Sequence, residues 1–383
     1  MLLRSENANL KPEVLLNDFK RQWSDTSEAV LAAVGRVGES GWYVLGKEVQ
    51  RFETALAALA RRGHAIATAS GLDSIEIALR AAGLSPGTKV LTTPLSAFAT
   101  TLAIVRAGGV PVFVDVDAHG LIRLDSCRRA LSADPSIRAM VPVHLFGRAL
   151  DLAALEALRD EFGLLVVEDC AQSIGAAFQE RPAGTVGQLA ATSFYPTKNL
   201  GALGDGGAIS TDDDALAARC RTLRDYGQTN KYVHDELGLN SRLDELHAAI
   251  LSTAFLPRLA GWTARRRQIA RAYTAKLEHG SVHPLPSPPG SESVWHLYPV
   301  RVAAGRREAF MNHMQARRVQ TAIHYPRLIP HQQALAGRPF EVLDDLAMAS
   351  DLAATEVSLP IHPYLENAEV DRVIAAVNEW SGA

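Results

Sequence analysis

Two hydrophobic patterns alternate along most of this chain. Short runs rich in β-branched and apolar residues predict strands at 110–116, 139–145 and 164–167. Between them, apolar residues recur every three or four positions and predict helices marked by Ile75, Leu79 and Ala82, by Leu152, Leu155, Leu158 and Phe162, by Leu216, Cys220 and Leu223, and by Leu243, Leu246 and Ile250. This alternation predicts an α/β fold, a mostly parallel sheet with helices on both faces.

The pattern changes after about residue 255. A proline-rich segment at 283–290 predicts a turn-rich connector, and the strands beyond it are fewer and more widely spaced. A chain of 383 residues is long enough for two domains of ordinary size. We therefore predict a large α/β domain over residues 1–255 and a smaller α+β domain over residues 256–383.

Composition narrows the class of protein. Apolar residues make up 47% and charged residues 21% of the chain, and no apolar run reaches the length of about 18 residues that predicts a membrane span. The polar start, residues 1–7, has no signal-peptide core and predicts a cytoplasmic protein. A net charge of -3 argues against nucleic acid as a partner, and the arginines at 265–267 read as a solvated helix face. Three isolated cysteines at 127, 170 and 220 predict reduced core residues and no metal site.

One lysine lies where its amine could form a Schiff base. Lys198 follows a short apolar strand and precedes four glycines within ten residues, which would let the backbone approach a ligand closely. Ser193 supplies a hydroxyl nearby. Spacing alone is equally compatible with a solvated loop lysine.

Two further segments suit a phosphorylated cofactor. The segment 70–74 (Ser-Gly-Leu-Asp-Ser) precedes a predicted helix, where a phosphate is favoured, although these are also ordinary capping residues. Asp169 follows an apolar strand, at the sheet edge where ligands bind, or it caps the next turn. Nucleotide and dinucleotide phosphate-loop motifs are absent. A phosphate cradle, an acid and an amine at one edge are together what pyridoxal 5'-phosphate requires.

Longer segments carry a family resemblance. Residues 41–46, 142–147, 168–172, 193–207, 238–245 and 324–326 resemble the sugar aminotransferases of the DegT/DnrJ/EryC1/StrS family. The resemblance implies the aspartate aminotransferase-like fold of type I pyridoxal phosphate enzymes. It also implies a homodimer whose subunits share their active sites.

The resemblance implies a role for each residue of the cofactor site. Lys198 is the implied Schiff-base and proton-shuttling residue, and Asp169 the partner of the pyridine nitrogen. Gln172 would bind the phenolic oxygen, and Phe98 would stack on the ring. The phosphate would be held by the residues Gly71, Leu72, Ser193 and, from a second subunit, Asn240.

Some positions depart from the family pattern. Leu72 and Ala97 replace frequent threonines, and His247 replaces a usual glutamine. The first two changes are expected to loosen cofactor contacts modestly. Lysine rather than histidine at position 198 implies amino transfer rather than dehydration.

The resemblance implies a nucleotide-linked keto sugar as acceptor and L-glutamate as amino donor. The lysine segment, residues 71–73, 294–296 and 324–326, and the following 331–333 are similar to members that aminate 3-keto sugars. A dTDP-linked 3-keto-6-deoxyhexose is therefore expected, with a UDP-linked 3-keto hexuronate or a 4-keto sugar as alternatives. A non-catalytic regulator that binds the cofactor is the alternative from another class. Candidate substrate residues, each also compatible with a structural role, are Tyr195, Lys231, Tyr232, His324 and Tyr325.

Overall fold

The computed structural model describes residues 13–382, so the polar start at 1–7 lies outside the described residues. Its strands are β1 His64–Thr68, β2 Lys89–Thr92, β3 Val110–Phe113, β4 Ile137–Val141, β5 Leu165–Asp169, β6 Ala177–Phe178, β7 Arg181–Pro182, β8 Leu189–Ser193, β9 Gly207–Thr211, β10 Gln228–Asn230, β11 Val233–His234, β12 Val282–Pro284, β13 Ser291–Glu292, β14 Tyr298–Val302, β15 Glu341–Val342 and β16 Glu356–Leu359.

The helices are α1 Phe19–Ser40, α2 Lys47–Ala60, α3 Gly71–Ala81, α4 Phe98–Arg106, α5 Leu124–Ala133, α6 Leu152–Phe162, α7 Asp214–Arg224, α8 Glu245–Ile250, α9 Leu259–Lys276, α10 Arg307–Ala316, α11 Ala347–Thr355 and α12 Asn367–Asn378. A π-helical segment, Leu251–Phe255, continues α8 toward α9. Among residues 13–382, no helix is both long enough and apolar enough to cross a membrane.

The central sheet has eight strands in the order β1-β9-β8-β5-β4-β2-β3-β15. Only β9 runs antiparallel to its neighbours β1 and β8. All other pairs are parallel. The carboxyl ends of β1, β2, β5 and β8 therefore meet at one edge, where an open α/β sheet binds its ligands.

Helices cover both faces because strand residues alternate between them. Met140 and Val166 pack into one core with α5 and α6, whereas the neighbouring residues Val141 and Val167 pack into another with α3, α4 and α7. A third core joins α1, α2 and α8. The predicted α/β fold, a mostly parallel sheet with helices on both faces, is confirmed.

The last third of the chain has a core of its own. Strands β12, β14 and β16 form an antiparallel sheet, and α9, α10 and α12 pack against it. Val14 joins this core, and β15 returns to the large sheet. The division at residue 255 stays a prediction.

Four features of the elements differ from the sequence prediction. The strand expected at 110–116 ends at Phe113, and the one expected at 139–145 is Ile137–Val141, because Leu145–Gly147 forms a 3₁₀ turn in which Phe146 has a φ of 62°. The connector expected at 283–290 begins within β12, which pairs with β14 despite its proline. Leu243 lies before α8 rather than in it.

Candidate active site

A cavity of about 280 Å³ opens at the carboxyl edge of the large sheet. Loops after β1, β2, β5 and β8 line it, as the parallel topology requires. The sequence-predicted residues that line this cavity are Gly71, Leu72, Asp169, Gln172, Ser193, Tyr195 and Lys198.

Lys198 lies in the turn that follows β8. Its backbone N–H donates to the carbonyl of Tyr195 at 2.8 Å, which closes the turn. Burial lowers the pKa of the amine from its usual range to about 8, while the carboxylate of Asp169 acts in the opposite direction. Within residues 13–382 the amine makes no hydrogen bond or ion pair, so it is free to react.

Asp169 ends β5 and is only 4% exposed. One carboxylate oxygen accepts from the Thr100 hydroxyl at 2.7 Å, and the other accepts from the backbone N–H of Ala171 at 3.0 Å. The carboxylate is thus fixed by two donors without a cation bonded to it in the described chain. It acts both as a turn cap and as a buried negative charge beside the cavity.

The start of α3 presents backbone donors to the cavity. Ser70 caps the helix by accepting from the N–H of Asp73 at 3.1 Å, which leaves the N–H groups of Gly71 and Leu72 without an acceptor in the described chain. A Cβ on Gly71 would come within 2.6 Å of the Cβ of Ser193. Only glycine therefore allows the strand end and the helix start to approach this closely.

Gln172 connects the cavity to the C-terminal part of the chain. Its side-chain oxygen accepts from the N–H of Phe146 at 2.7 Å, and its nitrogen donates to the hydroxyl of Tyr325 at 3.1 Å. Burial raises the pKa of Tyr325 to about 12, so the phenol stays neutral. The next residue back, His324, has a pKa lowered to about 4 by burial and by the charge of Lys198.

Phe98 is placed differently from its neighbours. It opens α4, but its partly buried ring packs against the cluster of Phe113, Ile329 and Leu335, whereas Ala97 and Ala99 line the cavity. The structure therefore gives Phe98 a packing role, and stacking on a cofactor stays a prediction.

The remaining candidates face solvent. Lys231 and Tyr232 lie in the β10–β11 hairpin, where Tyr232 is 81% exposed. Asn240 is also exposed, and its side chain makes no hydrogen bond in the described chain. None of these three lines the cavity of its own subunit.

Sequence reasoning missed several residues of the site. Thr100 orients Asp169, and Asp205 lines the cavity from the glycine-rich segment. Asn199, beside Lys198, bonds to the ring of the buried His296 at 3.1 Å. Asp205 lay within the segment already singled out, whereas the contacts of Thr100 and His296 span about 70 and 100 residues and have no local signal.

The donor set fits pyridoxal phosphate. Unpaired N–H groups at a helix N-terminus with a serine beside them suit a phosphate. The buried carboxylate suits a protonated pyridine nitrogen, and the unbonded amine, with its lowered pKa, suits a carbonyl carbon. Cavity residues thus satisfy all three groups of the cofactor.

Comparisons with known proteins agree with this geometry. The profile of the DegT/DnrJ/EryC1/StrS aminotransferase family matches residues 24–378. The chain is similar to the dTDP-3-amino-3,4,6-trideoxy-alpha-D-glucose transaminase of Streptomyces venezuelae, at 40% identity over 97% of both chains. It is also similar to the UDP-2-acetamido-2-deoxy-3-oxo-D-glucuronate aminotransferase of Pseudomonas aeruginosa, at 35% identity over 94% of this chain and 98% of the relative. A crystal structure of S. venezuelae DesV in complex with a ketimine intermediate matches with a TM-score of 0.92 and 39% identity, covering 97% of this chain and 99% of that one.

Proposed function

The chain belongs to the DegT/DnrJ/EryC1/StrS aminotransferase family, and we propose that it aminates C3 of a dTDP-linked 3-keto-6-deoxyhexose with L-glutamate as donor. The expectation of a pyridoxal phosphate-dependent sugar aminotransferase is confirmed by this membership. The observation that supports amino transfer most strongly is the unbonded amine of Lys198 beside the fixed carboxylate of Asp169 in one cavity.

Pyridoxal phosphate, when bound, would supply the electron sink that lets an amino group pass from an amino acid to a ketone. Lys198 would hold it through Nζ, Asp169 would face its pyridine nitrogen, and Gln172 its phenolic oxygen. Gly71, Leu72 and Ser193 would hold its phosphate, with Asn240 of a second subunit. In the overall exchange glutamate becomes 2-oxoglutarate and the keto sugar becomes the amino sugar.

The residues of the chain have separate tasks in this reaction. Because its pKa is lowered to about 8, the Lys198 amine can accept a proton at Nζ and return it near neutral pH. Thr100 and the N–H of Ala171 hold the Asp169 carboxylate in one orientation. Tyr325 accepts a hydrogen bond from Gln172, which lines the cavity, and would thereby connect the bound sugar to the cofactor.

We propose the identity of the sugar substrate from the names of two relatives. The S. venezuelae relative is named for a dTDP-3-amino sugar, and the P. aeruginosa relative for a UDP-linked 3-oxo glucuronate. Both names place the amino group at C3, which favours a 3-keto acceptor over a 4-keto one. Higher identity to the first relative favours dTDP and a 6-deoxyhexose. Tyr195, Lys231, Tyr232, His324 and Tyr325 are proposed to bind the nucleotide sugar.

We propose a homodimer with shared sites because Tyr232, a proposed substrate residue, is 81% exposed and does not line the cavity of its own subunit. Trp42 and Tyr43 in the family segment 41–46 are neighbouring aromatic residues that are 62% and 54% exposed, and a second subunit would cover them. Asn240 is exposed as well.

We also propose a cytoplasmic location. The side chains of Cys127, Cys170 and Cys220 are all free thiols in the protein interior, as in proteins of a reducing compartment.

A substrate panel tests the proposal. The purified protein, pyridoxal phosphate and glutamate are incubated with a dTDP-3-keto-6-deoxyhexose, a UDP-3-keto hexuronate or a dTDP-4-keto-6-deoxyhexose, and amino sugar and 2-oxoglutarate are identified by mass. We expect the first substrate to give the highest kcat/KM. A higher value for either of the others would contradict the proposed sugar.

Two variants control this experiment. Lys198→Ala should abolish product formation, whereas Lys276→Ala, which removes an exposed lysine of α9, should not. Borohydride followed by peptide mapping should find the cofactor on Lys198. Attachment to another lysine would contradict the assigned site.

A further inference from the structure

A buried carboxylate lies in the small sheet, close to the proposed sugar site. Glu356 and Ser358 both belong to β16, and because they are two residues apart their side chains point to the same face. They are 1% and 0% exposed. The Ser358 hydroxyl donates to Oε1 of Glu356 at 2.5 Å.

The segment before Tyr325 pairs with this strand. Ala322 and Ser358 form an antiparallel bridge, with backbone hydrogen bonds of 2.8 and 3.3 Å. His324 therefore lies opposite Glu356 and donates its backbone N–H to Oε2 at 2.6 Å. Its ring nitrogen Nδ1 lies 2.9 Å from the hydroxyl oxygen of Ser358. Carboxylate, hydroxyl and imidazole form one continuous chain of hydrogen bonds.

The other end of this chain of hydrogen bonds lies near the active site. Nε2 of His324 makes no hydrogen bond within the described residues. The ring lies within electrostatic reach of Lys198, whose charge helps to lower the pKa of His324 to about 4. The adjacent Tyr325 bonds to Gln172, which lines the cavity. At neutral pH His324 is thus an uncharged imidazole whose free nitrogen is available to the site.

The proton on Glu356 decides which nitrogen of His324 is protonated. An ionised Glu356 only accepts, so the Ser358 hydroxyl points to it and must accept from Nδ1–H, which leaves Nε2 bare. A protonated Glu356 donates to Ser358, which then donates to Nδ1, so Nε2 bears the proton. Burial raises the pKa of Glu356 to about 8, so both states are accessible near neutral pH.

We propose that Glu356 and Ser358 are positioning residues that form a proton relay with His324, setting its tautomer and supplying a proton to the active site through Nε2. When Nε2 gives up its proton, the Ser358 proton moves to Nδ1 and the Glu356 proton moves to Ser358. One proton leaves at Nε2 and one negative charge remains on Glu356. The imidazole never has to become an imidazolium, which its surroundings disfavour. That the released proton serves the nucleotide sugar rests on the proposed function.

Other charges around the carboxylate bias this equilibrium without joining the relay. Arg307 of α10 and the buried Arg148 both favour the ionised form of Glu356. Arg301 stands opposite Glu356 in β14, but its guanidinium pairs with Asp351 of α11. Tyr325 lies close enough for the charge of Glu356 to help raise its pKa.

The tautomer of His324 can be measured directly. Protein with 15N-labelled histidine is studied by long-range 1H–15N correlation spectra across the pKa of Glu356, without any sugar present, and His324→Gln identifies the resonance. We expect Nε2–H well below pH 8 and Nδ1–H well above it. A tautomer that does not change across this range would overturn the proposal. Because no turnover is involved, this outcome is independent of whether the proposed sugar is right.

Two variants sharpen the measurement. In Glu356→Gln the amide oxygen must face the N–H of His324, so its NH₂ faces Ser358 and the ring should stay in the Nε2–H form at every pH. In Ser358→Ala the coupling is broken and the tautomer should lose its pH dependence. Ser252→Ala, in the π-helical segment, is the matched control and should switch like the wild type. Switching in either relay variant would contradict the relay, and if one variant fails to fold, the wild-type titration and the other decide.

Discussion

The reactivity of Lys198 is a balance between burial, which disfavours its charge, and the carboxylate of Asp169, which favours it. The net result is an amine that is partly neutral near pH 8. An ordinary exposed lysine would be almost fully charged there. The nucleophilicity of this amine thus depends on its burial in the turn after β8 and on a carboxylate at the end of β5.

Removal of the Asp169 charge should shift the titration of Lys198. In Asp169→Asn the ammonium loses its stabilising neighbour, so its pKa should fall further and the free amine should appear at lower pH. The measurement is the pH profile of acylation of Lys198 in cofactor-free protein, followed by peptide mass analysis. Thr100→Val keeps the carboxylate charge and serves as the control. An unchanged or higher midpoint in Asp169→Asn would show that the charge does not act on the amine.

The same substitution should also impair turnover. Asn keeps the size of the side chain and can still accept from the N–H of Ala171, but its NH₂ group cannot accept from the Thr100 hydroxyl. It also cannot hold a proton on the cofactor nitrogen, so we expect a loss of kcat of about a hundredfold or more. Steady-state kinetics with the best sugar of the panel measures it, and cofactor retention should weaken as well. Asp214→Asn, on the surface, is the control. Near-normal turnover would leave Asp169 with only its capping role.

At the scale of elements, two distant segments meet around one side chain. Glu245 begins α8, is 2% exposed and accepts three backbone N–H groups at the start of α2, those of Gly46, Glu48 and Val49, at 2.8 to 3.0 Å. A Cβ on Gly46 would lie 2.6 Å from the carboxylate, so glycine is required there. The family segments at 41–46 and 238–245 are therefore one structural unit.

Truncation of the Glu245 side chain should destabilise the protein. Glu245→Ala leaves one buried and two partly buried backbone donors at the start of α2 without their acceptor, and we expect the free energy of unfolding to fall by about 2 to 4 kcal/mol. Glu245→Gln retains one acceptor oxygen, so its free energy of unfolding should fall by less. Denaturant unfolding at one protein concentration measures both, with Glu39→Ala as an exposed control. A loss for Glu245→Ala as small as that for Glu39→Ala would mean that the cap contributes little.

Local pattern explains which elements were foreseeable. The helices α3, α6 and α7 bury most of the apolar residues that marked them, including Ile75, Leu155 and Cys220, because each presents one face to the sheet. Gly71, Asp169 and Lys198 were foreseeable as a group because parallel strands place their carboxyl ends together. Thr100 and the Glu356–Ser358 pair could not be predicted, because their hydrogen-bond partners Asp169 and His324 lie far away in the sequence. A single hydroxyl or carboxylate also gives no periodic pattern that would reveal its role.

At the scale of the whole molecule, the proposed phosphate site requires Asn240 from a second subunit. Ser241 is buried and bonds to Asp73 and to the N–H of Ala69 at the start of α3 in its own chain. Asn240 precedes it in extended backbone, so the two side chains point in opposite directions. Asn240 is therefore directed away from the proposed phosphate site of its own chain, as we would expect of a residue that serves a neighbouring subunit.

Subunit mixing tests this arrangement. Lys198→Ala lacks the amine, and Asn240→Asp should be inactive by itself because its carboxylate would repel the phosphate. After exchange of equal amounts, about half of the dimers are heterodimers, each with one site that combines an intact Lys198 with an intact Asn240 from the other chain. A heterodimer should thus recover at most about half of the activity of a wild-type dimer, and the mixture about a quarter.

The controls distinguish active sites shared between subunits from other causes of a recovery of activity. Each variant mixed only with itself should stay inactive, and a mixture kept below the temperature of exchange should gain nothing. Activity should rise with the heterodimer fraction measured by native mass spectrometry. If heterodimers form and remain inactive while Asn240→Asp alone is inactive, both residues act in the site of their own chain. Asn240 would then have to turn inward on cofactor binding, against the outward direction that Ser241 imposes on it.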